Sequence, residues 1–142
     1  MRKFKIRRFF KVLVLIIMVI IFWFSHQTGR ESSKQSNYVK KQVQKVGVKK
    51  KNSTILIRKT AHLIIYMSLG ISLIMGRRQR GKKEIIESVV IIIIYAALDE
   101  CHQSFIPGRE AYLRDVIIDA VGGSTGILFT KLILWGNTKK GK

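Results

Sequence analysis

With 142 residues, 47% apolar side chains gathered in long blocks and one proline, the chain forms one small unit built from four hydrophobic segments. A net charge of +19 would suggest a nucleic-acid partner in a soluble chain, but here Lys and Arg cluster between the apolar runs, as the flanking charges of membrane helices do. That pattern argues against nucleic acid and makes anionic lipid head groups the counter-charge, while a single cysteine, Cys101, excludes an intramolecular disulfide.

The first segment, MRKFKIRRFFK followed by VLVLIIMVIIFWF, has the layout of both a signal peptide and a first membrane anchor. No small-x-small cleavage pair follows it, since the chain continues Trp23, Phe24, Ser25, His26, Gln27. A retained helix is therefore expected over about 9–25, with Lys11 reaching back to the head groups and Trp23 near the opposite interface. The basic start places the N-terminus in the cytoplasm.

Residues 25–57 carry eight Lys or Arg and one acid, Glu31. Val39, Val43 and Val46 fall at helical spacing, which would suit a helix lying on anionic lipid. Three valines make a thin apolar face, so the expectation for 26–54 is a solvated, partly disordered basic loop outside the cell.

The second helix is expected over about 55–75. Arg58, Lys59 and His62 occupy its first turns, and Arg58, His62 and Tyr66 share a face at i, i+4, i+8. A polar face of this kind is expensive in lipid unless it has partners. Ser68, Gly70 and Ser72 offer small surfaces for close helix contact. The loop 76–84 holds five basic residues and is expected on the cytoplasmic side.

The third helix, about 85–103, delivers Asp99, Glu100 and Gln103 to the outer interface, with Asp99 and Gln103 one turn apart and Tyr95 a turn below. Pro107-Gly108 marks a turn, and Arg109 follows it. The fourth helix, about 113–135, presents Asp115, Asp119, Gly122 and Gly126 on one face, the glycines spaced for close backbone approach. The basic tail NTKKGK is expected in the cytoplasm. Charge bias supports this orientation narrowly, through the first segment and the short 76–84 loop.

The expected fold is an all-α integral membrane protein: four transmembrane helices in a compact bundle, both termini cytoplasmic, with a long basic first extracellular loop. Of eight acidic residues five (Asp99, Glu100, Glu110, Asp115, Asp119) lie between Asp99 and Asp119. In that topology they meet Ser25, His26, Gln27, Arg58, Lys59, His62 and Arg109 at one depth in the outer leaflet.

The series RKTAH (58–62) with Tyr66, LDECHQSFIPGR (98–109) and RDVIIDAVGGSTG (114–126) resembles the VanZ-like family of small membrane proteins. Ser25-x-Gln27-x-Gly29 resembles that family's element after the first helix, while His26 and the very basic loop depart from it. The resemblance implies a single VanZ-like membrane domain over 1–142, in the cell membrane of a Gram-positive bacterium, with a link to teicoplanin-type glycopeptide resistance or cell-envelope maintenance.

Three uses of the polar cluster follow. It is a structural ion-pair network that fixes helix register, or a membrane-level pocket for a lipid-linked or wall-related head group, or a catalytic centre. For a pocket, the binding candidates are Arg58, Lys59, His62, Tyr66, Asp99, Glu100, Gln103, Arg109, Asp115 and Asp119. Arginines suit phosphate or carboxylate, and carboxylates with Gln103 suit hydroxyls or amines. For an enzyme acting on a lipid-linked substrate, His62 with Asp99 or Glu100 supplies acid and base. No nucleophile elbow or phosphate-binding loop is present. His62, Asp99, Glu100, Asp115 and Asp119 could also ligate an ion, but their separation has no ligand-spacing signature and adjacent arginines oppose a cation. Neither metal nor cofactor is expected, and the partners expected are membrane lipids.

Overall fold

Turn-forming residues separate the helices of this chain, while charged residues extend some of them beyond their apolar runs. A computed structural model describes residues 2–45 and 53–139, and among them it contains five α-helices and no strand. They are α1 (Arg2–Ser25), α2 (Gly29–Lys45), α3 (Ser53–Gly76), α4 (Lys82–Gln103) and α5 (Leu113–Lys139).

Helix α1 starts well before the apolar run, because the Lys and Arg of its first turns are good helix formers and no Gly or Pro interrupts them. The segment 26–54 departs from the expected loop: most of it is the helix α2. What starts α2 is a capping box rather than an apolar stripe. The Thr28 N–H and hydroxyl both donate to Glu31 Oε2 (2.9 and 2.8 Å), and the Glu31 N–H donates back to Thr28 Oγ1 at 3.3 Å. The α2 face against α3 is made by Ser32 and Ser36, both buried, whereas Val39 is exposed. Small residues one turn apart let a polar helix lie close to a neighbour without an apolar stripe. Val46, the lysines at 49–51 and the tail 140–142 lie outside the described residues, as does the side chain of Val43.

Helix α3 is central and packs on the other four helices, with its longest interface against α5. Glycines set that interface. A Cβ on Gly70 would lie 2.0 Å from the Gly123 carbonyl oxygen, one on Gly126 2.1 Å from that of Met67, and one on Gly122 2.7 Å from that of Leu63. The expected close approach at Gly122 and Gly126 is therefore present, and Gly70 with Gly123 extends it. Two buried hydroxyls near this interface are satisfied within their own helix, Ser72 donating to Ser68 O at 2.8 Å and Thr130 to Gly126 O at 2.9 Å.

Among the described residues three helical stretches are long and apolar enough to cross a membrane: Phe4–Ser25, Leu56–Gly76 and Leu113–Leu134. Phe9, Leu15, Val19, Ile64, Leu128 and Phe129 point outward from them, the arrangement expected where the solvent is lipid. Helix α4 falls outside this group because Glu84, Glu87, Asp99 and Glu100 interrupt its apolar stretch, although Val90, Ile93, Ile94 and Leu98 are as outward-facing as residues on the other three. At the end of the bundle away from Asp99, Arg77 pairs with Glu87 (2.8 Å) and Glu84 accepts from the Gly81 N–H (2.9 Å).

Candidate functional site

The C-terminal ends of α1 and α4 and the N-terminal ends of α3 and α5 come together, so residues far apart in sequence meet at one end of the bundle. Asp99 is its buried centre: Ser25 Oγ donates to Asp99 Oδ2 at 2.9 Å, and Gln103 Nε2 donates to the same oxygen at 3.0 Å. The i, i+4 spacing of Asp99 and Gln103 makes the second bond a consequence of helix geometry. Tyr95, a turn below, turns away from this centre and donates to Met18 O of α1 at 2.6 Å.

Arg109 hangs over the cluster from the Pro107-Gly108 turn, where Gly108 has φ +74°. That turn seats on the start of α2, the Gly29 N–H donating to Pro107 O at 3.1 Å. A Cβ on Gly29 would lie 2.0 Å from the Gly108 carbonyl oxygen, so the two glycines let the strands of chain touch. The guanidinium donates to Gln27 O (3.0 Å), Phe24 O (2.8 Å) and Gln103 Oε1 (2.8 Å). It ties the end of α1 to α4 through carbonyls and an amide rather than through a carboxylate. Burial, and then the charge of Arg58, pull Arg109 down from the ordinary guanidinium range, though it remains a cation at any physiological pH.

On the α3–α5 side Lys59 pairs with Asp115, and His62 Nδ1 lies 3.4 Å from Asp119 Oδ2. Glu100 accepts the Tyr112 backbone N–H at 2.6 Å, which fixes the approach to α5. Tyr66 is fully buried one turn below His62, their rings stacked at 6.5 Å between centroids. Arg58 makes no hydrogen bond or ion pair among the described residues, and faces the cleft.

A cleft of about 510 Å³ opens between these groups. Eight of the ten residues expected at a binding site line it: Arg58, Lys59, His62, Glu100, Gln103, Arg109, Asp115 and Asp119. Asp99 and Tyr66 lie beneath it. An adjoining, mostly apolar groove of about 240 Å³ runs between α1, α2 and α3, past Ile21, Phe24, Val39, Ile57 and Ile65. Arg58, His62 and Arg109 line both.

Against known proteins, the family model described as VanZ/LLP1 matches residues 10–134, from the first apolar helix through most of α5. The chain is a member of the VanZ/LLP1 family. The match covers all of the elements that build the cleft, so the site belongs to the VanZ/LLP1 domain itself rather than to an addition on it. No curated protein and no solved structure matches the chain.

Sequence reasoning placed the cluster of this VanZ/LLP1 domain but not its pairings. Among the described residues Asp99 and Glu100 have no Lys or Arg partner. His62 pairs with Asp119 more directly than with Asp99, and Glu100 is occupied by Tyr112. Ser25 and His26 fall in the expected cluster, but their partners were not legible: Ser25 bonds to Asp99, and His26 meets His102 (3.2 Å) beside Phe22.

Proposed function

We propose that this VanZ/LLP1 protein holds an anionic lipid or lipid-linked envelope component by its head group, in the cleft between Arg58, Arg109 and the ends of α3, α4 and α5. One observation carries the reading: two arginines that share no carboxylate face a polar cleft continuous with an apolar groove. A planar guanidinium without a partner suits a phosphate or carboxylate, and the groove beside it suits the first carbons of an acyl or prenyl chain. Lys59, His62, Glu100, Gln103, Asp115 and Asp119 supply donors and acceptors for the rest of a head group.

In this reading α4 is the fourth span. Its 22 residues reach about 33 Å at 1.5 Å per residue, enough for a hydrocarbon core of about 30 Å. Both termini are then cytoplasmic, and the cleft opens in the outer leaflet of a Gram-positive cell membrane. There it serves envelope maintenance or resistance to teicoplanin-type glycopeptides.

The test is lipid binding by the purified protein in nanodiscs, comparing phosphatidylglycerol and a polyprenyl-phosphate-linked wall precursor with phosphatidylcholine. Arg58→Gln should weaken binding of the anionic lipids about tenfold or more, and Arg58→Lys should restore part of it. Equal binding of all three lipids, or none lost in Arg58→Gln, overturns the pocket. Turnover of the precursor that disappears in His62→Gln would convert the pocket into an active site.

A further inference from the structure

We propose that His62, Asp99 and Asp119 form a divalent-metal site at the floor of the cleft, with the Tyr66 hydroxyl beside it. In sequence these residues have no ligand spacing, which argued against an ion; folding removes that objection. One ligand atom from each lies within 4.8 Å of the other two. Ligands about 2.1 Å from a first-row ion sit about 3 to 3.5 Å apart in tetrahedral or cis positions, so the set closes by side-chain rotations that bring its widest pair together by up to about 1.5 Å.

The surroundings match such a site in three respects. Asp99 is already oriented: both of its hydrogen bonds, from Ser25 and Gln103, arrive on Oδ2 and leave Oδ1 for an ion. Asp99 and Asp119 are 5% and 3% exposed, and among the described residues neither has a Lys or Arg ion-pair partner; His62, the proposed third ligand, is the group paired with Asp119. Three N–H groups of Arg109 are already engaged by Gln27 O, Phe24 O and Gln103 Oε1, so none of these three is free to take a ligand carboxylate from the ion.

Tyr66 is the independent pointer. Its hydroxyl is the one buried side-chain polar atom without a partner among the described residues, on a side chain 0% exposed. Such a group is costly without a ligand. It lies on the His62 face of α3, one turn from His62 with the two rings stacked 6.5 Å apart between centroids. A metal-bound water or the ion itself would satisfy it.

One imidazole and two carboxylates favour Mn²⁺ or Zn²⁺ over the all-oxygen sites of Ca²⁺ and Mg²⁺. His62 and Asp119 line the cleft, so the ion's open positions face it. The inference stands apart from the lipid reading, because the metal alone is the probe.

Protein purified in nanodiscs is stripped with chelator, dialysed against Mn²⁺ or Zn²⁺ and washed, and bound metal is counted by mass spectrometry. About one ion per chain is expected, with affinity falling tenfold or more in His62→Gln, Asp99→Asn and Asp119→Asn, and unchanged in Glu87→Gln at the far end. Tyr66→Phe, which keeps the packing, should lower affinity by about tenfold. In the Mn²⁺-loaded wild type, electron spin-echo spectroscopy should detect coupling to one imidazole nitrogen, a signature independent of how any variant folds. Absence of a stoichiometric ion in the wild type, absence of the nitrogen coupling, or full affinity in Asp119→Asn overturns the site.

Discussion

Gly70 of α3 and Gly123 of α5 meet backbone to backbone, so closely that a methyl group on Gly70 would stand 2.0 Å from the Gly123 carbonyl oxygen. That contact, continued by Gly126 against Met67, fixes the separation of α3 and α5 and so the distance across which His62 faces Asp119. Gly70→Leu and Gly126→Leu should each destabilise the protein by about 1–3 kcal/mol or more, the range for overpacking a well-filled contact. Thermal unfolding in detergent measures it. Gly76→Ala is the control, since its nearest neighbour would be the flexible Lys11 side chain at 3.4 Å. Equal melting of the Gly70 and Gly76 variants would mean that α3 and α5 have freedom to separate.

How far the chain could be read without its structure follows from these same residues. Carboxylates at the ends of apolar runs made Asp99, Asp115 and Asp119 visible, because lipid tolerates them only near partners. GxxxG spacing showed Gly122 and Gly126. Gly70 and Gly123 gain meaning only from each other, since register between two helices is not written in either one. Arg109 was legible as a member of the polar cluster but not as a tie to main-chain carbonyls, which leave no mark in sequence. Helix α2 leaves little mark in apolar periodicity, because what distinguishes it is a local cap at Thr28 and Glu31 and two buried serines.

Ser25→Ala removes one of the two hydrogen bonds on Asp99 Oδ2. Since the carboxylate is buried, the loss should cost about 1–3 kcal/mol. Ser104→Ala removes only an exposed bond to the Cys101 carbonyl and should leave stability within about 0.5 kcal/mol of wild type. Similar melting temperatures for the two variants would show that Asp99 does not depend on α1 for its orientation.

The α2 cap gives a pH prediction. The Thr28 N–H, and then its hydroxyl, hold Glu31 below the usual carboxylate range. A carboxyl depressed in the folded state contributes its stability above its unfolded pKa and loses it as pH falls through the folded value. Amides 31–34 should therefore be protected from hydrogen exchange at pH 7 and lose protection in acid, after correction for intrinsic rates. Glu31→Gln should remove the pH dependence, and Glu31→Ala should lower protection at both pH values. A wild-type profile flat from pH 7 to pH 3 would remove the cap as the start signal of α2.

The orientation of the cleft rests on whether α4 crosses the membrane, and two cysteine positions decide it. Cys101 is the sole cysteine, exposed, and lies in the last turn of α4 beside Glu100 and Gln103. Gln79, also exposed, lies in the basic connection before α4. If α4 spans, an impermeant maleimide should label Cys101 in intact cells, and Gln79→Cys in a Cys101→Ser background only after permeabilisation. Ser104→Cys in the same background checks against local shielding, being exposed one turn further on. Labelling at positions 79 and 101 from the same side would make α4 a helix that enters without crossing. Labelling at 101 and 104 only after permeabilisation would turn the cleft to the cytoplasm and remove the outer-leaflet ligand, while leaving the His62, Asp99 and Asp119 geometry as it stands.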